Sequence, residues 1–385
     1  MIAIESFFDG GAEMFAIRLA NELALTQNVY FVELYPYPAK EKRQLSLLDQ
    51  SRIKLFQPGK NFIGDWLDRQ GMNEKETRVG RKQRIMNFYR RAKKRSIVSF
   101  IKKHQIDVVN SHSWDTDVYF AELKKETTFK LVSSFHGHYE FLAGKRANYD
   151  ADTASALKGV DTVIYTSPKH RETLDHYGFP AEKRRKIFYG VSMPLAAAAT
   201  EYKKGDCLQL VMAARPIKEK GWEEAIQAVL SLQPKYPGVV KLNLVGGGEY
   251  LDEMASRYRD PAINFAGYKD DVRAMLEQAH IGLLPSYYIA ESLPNTIIEY
   301  LFCGKPVITT DIGAIREMIS TGVELAGVCI ELHNGKPGVE LIAEAIEQYL
   351  GDPALVKQHS DLALKAAEKF TMETCIEEYL HAFNH

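Results

Sequence analysis

The sequence predicts an α/β protein of two domains built on parallel sheets. Short apolar, β-branched runs alternate with helix-forming segments from Ile2 to Thr310, the pattern of strands joined by helical crossovers. The 385 residues suffice for two domains of ordinary size, and 45% hydrophobic against 26% charged residues lets each bury a core. Pro194 to Thr200, rich in alanine, and the polar Glu201 to Asp206 read as the linker between them.

The first domain opens on a strand, Ile2 to Ser6. Phe7-Phe8-Asp9-Gly10-Gly11 then turns into a helix with Phe15, Ile17, Leu19, Ala20 and Leu23 on its apolar face. Glycines at such a turn let backbone approach a ligand closely, but the spacing is not the G-x-G-x-x-G of dinucleotide sites. Further strands are expected at Val29 to Tyr35, Ile53 to Phe56, Val108 to Ser113, Leu131 to Phe135, Thr162 to Ser167 and Lys186 to Val191. Ser111-His112-Ser113 and Phe135-His136-Gly137-His138 end two of them, at the carboxyl edge where open α/β sheets bind ligands. Asp115-Thr116-Asp117 has the D-x-D spacing of metal-dependent transferases, but three-residue matches are cheap and no metal is assigned.

Between the strands, Arg81, Lys82, Arg84, Arg90, Arg91, Lys93, Lys94 and Arg95 share a helix-period stretch with Ile85, Phe88, Tyr89, Ile97, Val98 and Ile101. Such a basic amphipathic helix either docks on an anionic membrane surface or is a solvated face. No nucleic-acid fold motif accompanies the charge, and the formal net charge of -1 gives no bulk attraction to nucleic acid. No apolar run nears the roughly 20 residues of a membrane span, and no signal sequence is recognisable, so the expected location is cytoplasmic. Cys207, Cys303, Cys329 and Cys375 are scattered, suggesting neither a disulfide framework nor a zinc site.

In the second domain Leu208 to Ala214 is a strand ending at Arg215-Pro216, and Lys220-Gly221-Trp222 opens a helix with Ala225, Ile226, Val229 and Leu230 inside. Arginine and lysine at a strand end address anions, or form a charged surface loop. Lys241 to Val245 ends at Gly246-Gly247-Gly248-Glu249; Ile263 to Gly267 follows, then Tyr268 and a short helix with Met275, Leu276 and Ala279. The helices Leu341 to Leu350 and Leu362 to Phe370 and a last one capped by Thr371 complete the chain.

The stretch Leu283 to Thr310 carries most chemistry. A buried strand ends at Pro285; a polar loop with Tyr287, Tyr288 and Glu291 leads to Ser292, placed to cap a helix whose first turn holds Pro294. The free amides of Asn295 and Thr296 would then attract phosphate. Glu291 and Glu299 stand eight positions apart, roughly 12 Å of rise on one continuous helix. That exceeds the about 5 to 9.5 Å of an acid/base carboxylate pair. It suits two acceptors gripping the ends of an extended ligand with a negative middle, the form of a nucleotide diphosphate sugar.

Glu291-x7-Glu299 with SLPNTIIEYLFCGKP around it, Arg215-x4-Lys220, the Gly10-Gly11 turn and His136-Gly137 together resemble the retaining nucleotide-sugar glycosyltransferases of family 4, also described as glycosyl transferases group 1. The resemblance implies the GT-B fold: two Rossmann-like domains facing a central cleft, with the C-terminal helix crossing back to the first. It divides the chain into an acceptor-binding domain 1-192, a linker 193-206, a nucleotide-sugar-binding domain 207-368 and a crossing helix 369-385. Ser292 stands where the family most often has glycine, and Tyr189 replaces the asparagine of its N-G-V segment.

The implied roles follow residue by residue. Gly10 and Gly11 would lie beside the diphosphate and acceptor, and His136 would contact the donor sugar. Arg215 and Lys220 would carry the leaving diphosphate's charge. Gly247 and Tyr268 would border the nucleotide. Glu291 would accept from sugar hydroxyls, Glu299 from the ribose, and Leu293, Pro294, Asn295 and Thr296 would line the phosphate and sugar. The implied reaction is metal-independent and cofactor-free. It transfers a hexose from a UDP- or GDP-linked donor to a glycan or lipid-linked acceptor in cell-envelope polysaccharide synthesis. A nucleotide-sugar 2-epimerase of the same fold, or a non-catalytic binding subunit, is the alternative. A glycan phosphorylase would need a cofactor lysine in a context the sequence lacks.

Overall fold

A computed structural model describes residues 1–7, 10–36, 43–58, 81–137, 148–269 and 271–385, with side chains of the helix beginning at Arg81 described from Asn87 onward. Phe8, Asp9, His138 and the side chains of Arg81, Lys82, Arg84 and Ile85 lie outside the described residues. The chain separates into two compact units: Met1–Thr166, His170–Gly190 and Met372–His385 form unit 1, and Ser167–Lys169 and Val191–Thr371 form unit 2.

Unit 1 is built on β1 (Ile2–Ile4), β2 (Tyr30–Glu33), β3 (Lys54–Phe56), β4 (Val108–Ser111), β5 (Lys130–Ser134), β6 (Thr162–Tyr165) and β7 (Arg184–Lys186). They pair in parallel in the order β3-β2-β1-β4-β5-β6-β7. Parallel sheets are covered on both faces, so their strands read as continuous apolar runs; Ala3, Val32, Val109, Leu131 and Val163 are fully buried. The crossovers include α1 (Gly11–Leu23), α2 (Arg81–Lys103), α3 (Trp114–Leu123), α4 (Tyr149–Gly159) and α5 (Pro168–His176). The strand expected over Lys186 to Val191 is shifted, because beyond Lys186 the chain leaves the sheet. Gly190 packs where a Cβ would stand 2.7 Å from that of Cys375, and the amide of Val191 pairs with the carbonyl of Phe370 at 2.9 Å.

Not all the charge on α2 is surface charge. Lys93 is 2% exposed, with its ammonium 3.9 Å from the centre of the Tyr35 ring, a cation–π contact that offsets part of its desolvation. Lys94 bridges Glu122 and Glu126 at 3.1 and 2.9 Å. Arg90, Arg91, Arg95, Lys102 and Lys103 stay exposed, as does Phe88. Among the described residues no helix is long and apolar enough to cross a membrane.

Unit 2 holds β8 (Leu208–Ala213), β9 (Val240–Val245), β10 (Ile263–Gly267), β11 (Ile281–Leu284), β12 (Val307–Thr310) and β13 (Gly327–Ile330), parallel in the order β10-β9-β8-β11-β12-β13. A small antiparallel hairpin pairs β14 (Leu332–His333) with β15 (Lys336–Pro337). Its helices are α6 (Trp222–Leu232), α7 (Glu249–Arg257), α8 (Arg273–Gln278), α9 (Asn295–Phe302), α10 (Ile315–Met318), α11 (Val339–Gly351) and α12 (Pro353–Ala367). Residues 193–206 do not hang free. Arg273 donates to the Pro194 carbonyl, the Ala196 amide to Phe302, the Thr200 amide to Ser360 and Lys305 to the Thr200 hydroxyl, at 2.6 to 3.0 Å. This strapping places the segment in unit 2.

The last helix, α13 (Met372–Asn384), returns to unit 1, where Tyr379 hydrogen-bonds Ser134 at 3.1 Å and Lys130 donates to the Ala382 carbonyl at 2.8 Å. In both sheets a first strand sits at the centre, with successors running outward on opposite sides. The order therefore reverses between β1 and β4 and between β8 and β11. Ligands of open α/β sheets bind outside the carboxyl ends of strands at such switch points.

Candidate active site

In unit 2 the switch point holds Arg215, Lys220 and Glu291. Arg215 follows β8; a short 3-10 turn over Lys218–Lys220 then brings Lys220 back beneath the loop that leaves β11. Gly221 makes this return possible: its φ is +84°, and a Cβ there would stand 2.2 Å from the Pro285 carbonyl oxygen. The two loops are fastened together by the Tyr287 amide, which donates to the Glu219 carbonyl at 2.8 Å. Lys220 Nζ reaches Glu291 Oε2 in a short ion pair, and Ser286 Oγ donates to the same oxygen at 2.9 Å.

The pair is buried, with Lys220 8% and Glu291 7% exposed, so each charge depends on the other. Tyr288 covers the cations: its ring centre lies 5.7 Å from Arg215 Cζ and 5.3 Å from Lys220 Nζ. The negative face of one ring, beside the Glu291 carboxylate, offsets part of the repulsion between the two cations. An ammonium has three donors and a carboxylate two oxygens. Lys220 and Glu291 therefore keep capacity for a ligand while paired.

Only Glu299 of the two spaced glutamates is on α9. The helix begins at Asn295 with Pro294 as its N-cap and no side-chain cap, not with Ser292. Ser292 belongs to the loop before it, its carbonyl accepting from the Ala314 amide at 2.8 Å. Glu291 thus lies in the preceding loop, and the helical rise between the two carboxylates does not apply. The Asn295 and Thr296 amides stand in the first turn, where no intrahelical acceptor exists, while the Thr296 hydroxyl donates to the Ala213 carbonyl at 2.9 Å. Leu293 and Pro294 are buried beneath this turn. Gly247 packs against Tyr268, whose Cβ would lie 3.0 Å from an added methyl, and leaves the Tyr268 ring 63% exposed.

In unit 1, Gly10 is the N-cap of α1 and Gly11 its first residue, after the carboxyl end of β1. Phe15, one turn on, packs against the stacked rings of His136 and His112, with centroids 5.8 and 6.1 Å away, and stacks on Tyr189 at 4.5 Å. His112 Nδ1 and His136 Nε2 are 2.7 Å apart. Burial pushes the His112 imidazole down to about 3, and burial, then the neighbouring His112 and His170, holds His136 well below the usual histidine range. Asp115 and Asp117 fall in the first turn of α3, which Ser113 caps, and buried Asp117 accepts from the Ser111 hydroxyl. The D-x-D pattern is therefore a helix start.

The profile described as "Glycosyltransferase Family 4" matches residues 9–193, and that described as "Glycosyl transferases group 1" matches residues 208–352. The chain belongs to glycosyltransferase family 4. Relatives of this family-4 chain include the N,N'-diacetylbacillosaminyl-diphospho-undecaprenol alpha-1,3-N-acetylgalactosaminyltransferase of Campylobacter jejuni, 27% identical over 44% of each chain. Another is the amylovoran biosynthesis glycosyltransferase AmsK of Erwinia amylovora, 24% identical over 54% of this chain and 56% of that one. The chain thus spans about half the length of the curated relatives it matches. Among solved structures, Anabaena HepE in complex with UDP superposes with a TM-score of 0.73 at 16% identity, covering 100% of this chain and 98% of that one. The fold is GT-B, and the family-4 chain carries its two Rossmann-like domains.

Sequence reasoning gave no role to the residues that hold the motif side chains in place. Ser286, Tyr288 and Gly313 surround Glu291. Tyr300 orients α9: its hydroxyl accepts from the Ala213 amide at 2.9 Å where β8 parts from β11. Its ring also needs Gly282, where a Cβ would stand 2.3 Å away. A tyrosine in an apolar helix stripe and a glycine in a strand were the only traces.

Proposed function

We propose that this family-4 chain is a retaining, metal-independent glycosyltransferase that moves a hexose from a UDP- or GDP-linked donor to a glycan or lipid-linked acceptor in cell-envelope polysaccharide synthesis. The observation that carries this reading is the convergence of Arg215, Lys220 and Glu291 at the switch point of unit 2. Two cations and the first turn of α9 suit a diphosphate, and a buried carboxylate beside them suits sugar hydroxyls. The relatives support the context: one is named for a diphospho-undecaprenol acceptor, one for amylovoran synthesis, and the Anabaena structure holds UDP.

In this reading Glu299 accepts from the ribose, Glu291 from the donor sugar, and Arg215, Lys220 and the Asn295 and Thr296 amides face the diphosphate. Gly247 and Tyr268 border the nucleotide. Gly10, Gly11 and His136 serve the sugar and acceptor from unit 1. The bond from the anomeric carbon to the phosphate oxygen breaks, a bond to the acceptor oxygen forms on the same face, and the acceptor's proton passes to the departing phosphate. Arg215 and Lys220 stabilise the charge that appears on the leaving group, a contribution of about 10²- to 10³-fold for one well-placed donor.

The exposed Arg90, Arg91, Arg95 and Phe88 of α2 suit a cytoplasmic, peripheral position on anionic membrane, at roughly 1 kcal/mol per basic residue. The deciding experiment measures nucleoside diphosphate release from UDP-glucose and GDP-mannose, with and without undecaprenyl-diphosphate-linked sugar, in anionic and in zwitterionic vesicles. Release that requires the acceptor and is faster on anionic vesicles is expected. Conversion of the donor to its 2-epimer without net release would indicate the epimerase, neither release nor conversion the binding subunit, and equal rates on both vesicles would remove the membrane contact.

A further inference from the structure

The hydrogen bonds behind His136 all run in one direction, and that direction fixes the protonation of the ring. The network begins at Asn110, the third residue of β4. Its amide nitrogen lies 2.9 Å from the Val132 carbonyl and 3.0 Å from Ser134 Oγ on the neighbouring β5. A carbonyl only accepts, so this end of the side chain is the NH2 group and the other end is the oxygen. Oδ1 lies 2.7 Å from His112 Nε2. An amide oxygen only accepts, so Nε2 of His112 carries the proton.

His112 is neutral by burial, so its Nδ1 holds a lone pair. That lone pair faces His136 Nε2 at 2.7 Å, and Nε2 of His136 must be its protonated nitrogen. A second histidine holds the adjoining backbone: His170 Nε2 donates to the Gly137 carbonyl at 3.0 Å, while its Nδ1 accepts from the Thr166 amide at 3.4 Å. Among the described residues, Tyr189 packs on His136, with Tyr379 and Cys375 behind it, all three pushed upward by burial and neutral at physiological pH.

We infer that Asn110 and His112 are positioning residues for His136, holding it as the Nε2–H tautomer so that it enters the transfer as a neutral hydrogen-bond acceptor through Nδ1, and not as an acid. What the ring does rests on the transferase reading; how it is held does not. A neutral acceptor is consistent with a reaction whose proton goes to the departing phosphate, because no histidine then has to supply one. The network also ties this setting to the C-terminal helix, since Ser134 bonds Tyr379 at 3.1 Å.

The test uses the full chain labelled with 15N-histidine and long-range proton–nitrogen correlation spectra, His136 being assigned from its absence in His136→Ala. A protonated Nε2 and a lone-pair Nδ1 on His136 are expected; a proton on Nδ1 overturns the inference whatever the activity. Turnover is then compared with whichever of UDP-glucose and GDP-mannose the wild type consumes. His112→Phe keeps an aromatic ring against Phe15 but offers no acceptor, and should lower kcat tenfold or more with donor KM within about twofold. Tyr379→Phe removes the far hydroxyl but leaves Asn110 anchored on Val132, and should keep both the tautomer and kcat.

A folded His112→Phe protein with unchanged kcat overturns the positioning role. The expected tautomer together with full kcat in His136→Ala overturns the part of the ring in transfer. Should His112→Phe not fold, the wild-type spectrum and Tyr379→Phe decide.

Discussion

Lys220→Ala is expected to cut turnover steeply and to destabilise the protein in the same step. Its ammonium is the ion-pair partner of a carboxylate only 7% exposed, and alanine leaves Glu291 Oε2 with the Ser286 hydroxyl. Removing one member of a buried pair costs about 3–5 kcal/mol, because the other charge stays desolvated. In the proposed reaction the same lysine faces the leaving diphosphate, so kcat/KM should fall by about 10²- to 10³-fold. Combining Lys220→Ala with Glu291→Gln removes the orphaned charge and should recover most of the stability and none of the turnover. Urea unfolding read beside activity checks both, with each unit's transition followed separately since a chain of two units need not unfold in one step. A stable, inactive Lys220→Ala would show that the pair is not buried as described.

Gly313→Ala is expected to be nearly as damaging, although residue 313 carries no chemistry. The glycine has φ +61°, and a Cβ there would stand 2.3 Å from the Glu291 carbonyl oxygen and 2.9 Å from that of Ser292. Those are backbone atoms, and the loop cannot yield without moving the Glu291 carboxylate. Because small displacements at a reacting centre cost up to about 10²-fold, a tenfold or larger loss in kcat/KM is expected. Gly335→Ala is the control. Its φ is +77° with nothing within 4 Å, so it should cost the left-handed backbone penalty of about 1–2 kcal/mol and leave turnover unchanged. Equal losses in the two variants would show that the 313 turn is not what holds Glu291.

The parallel sheets were legible because their strands are buried on both faces and appear as unbroken apolar runs such as Leu208 to Ala213. The motif residues were legible because they cluster just beyond the ends of those runs. β13 was not, since Gly327 to Ile330 is four residues led by a glycine. The hairpin of β14 and β15 carries Asn334-Gly335 between strands of two residues each, too short for alternation to show. The start of α9 was misread because Ser292 has the chemistry of a cap, whereas the helix begins later, at Asn295 after Pro294. The Asn110 relay was invisible because its members lie on strands and loops brought together only by the β4–β5 pairing.

The central claim, a nucleotide diphosphate site in unit 2, is tested most directly by thermal unfolding with uridine, guanosine and adenosine diphosphates. Wild type, Glu299→Ala and Arg215→Ala would be compared. A ligand at about 100 times its Kd stabilises the state that binds it by about 2.7 kcal/mol. One diphosphate raising the midpoint of the wild type, with the rise weakened in both variants, is the predicted result and identifies the donor class. No rise with any of the three would contradict the donor site and, with it, the transferase reading.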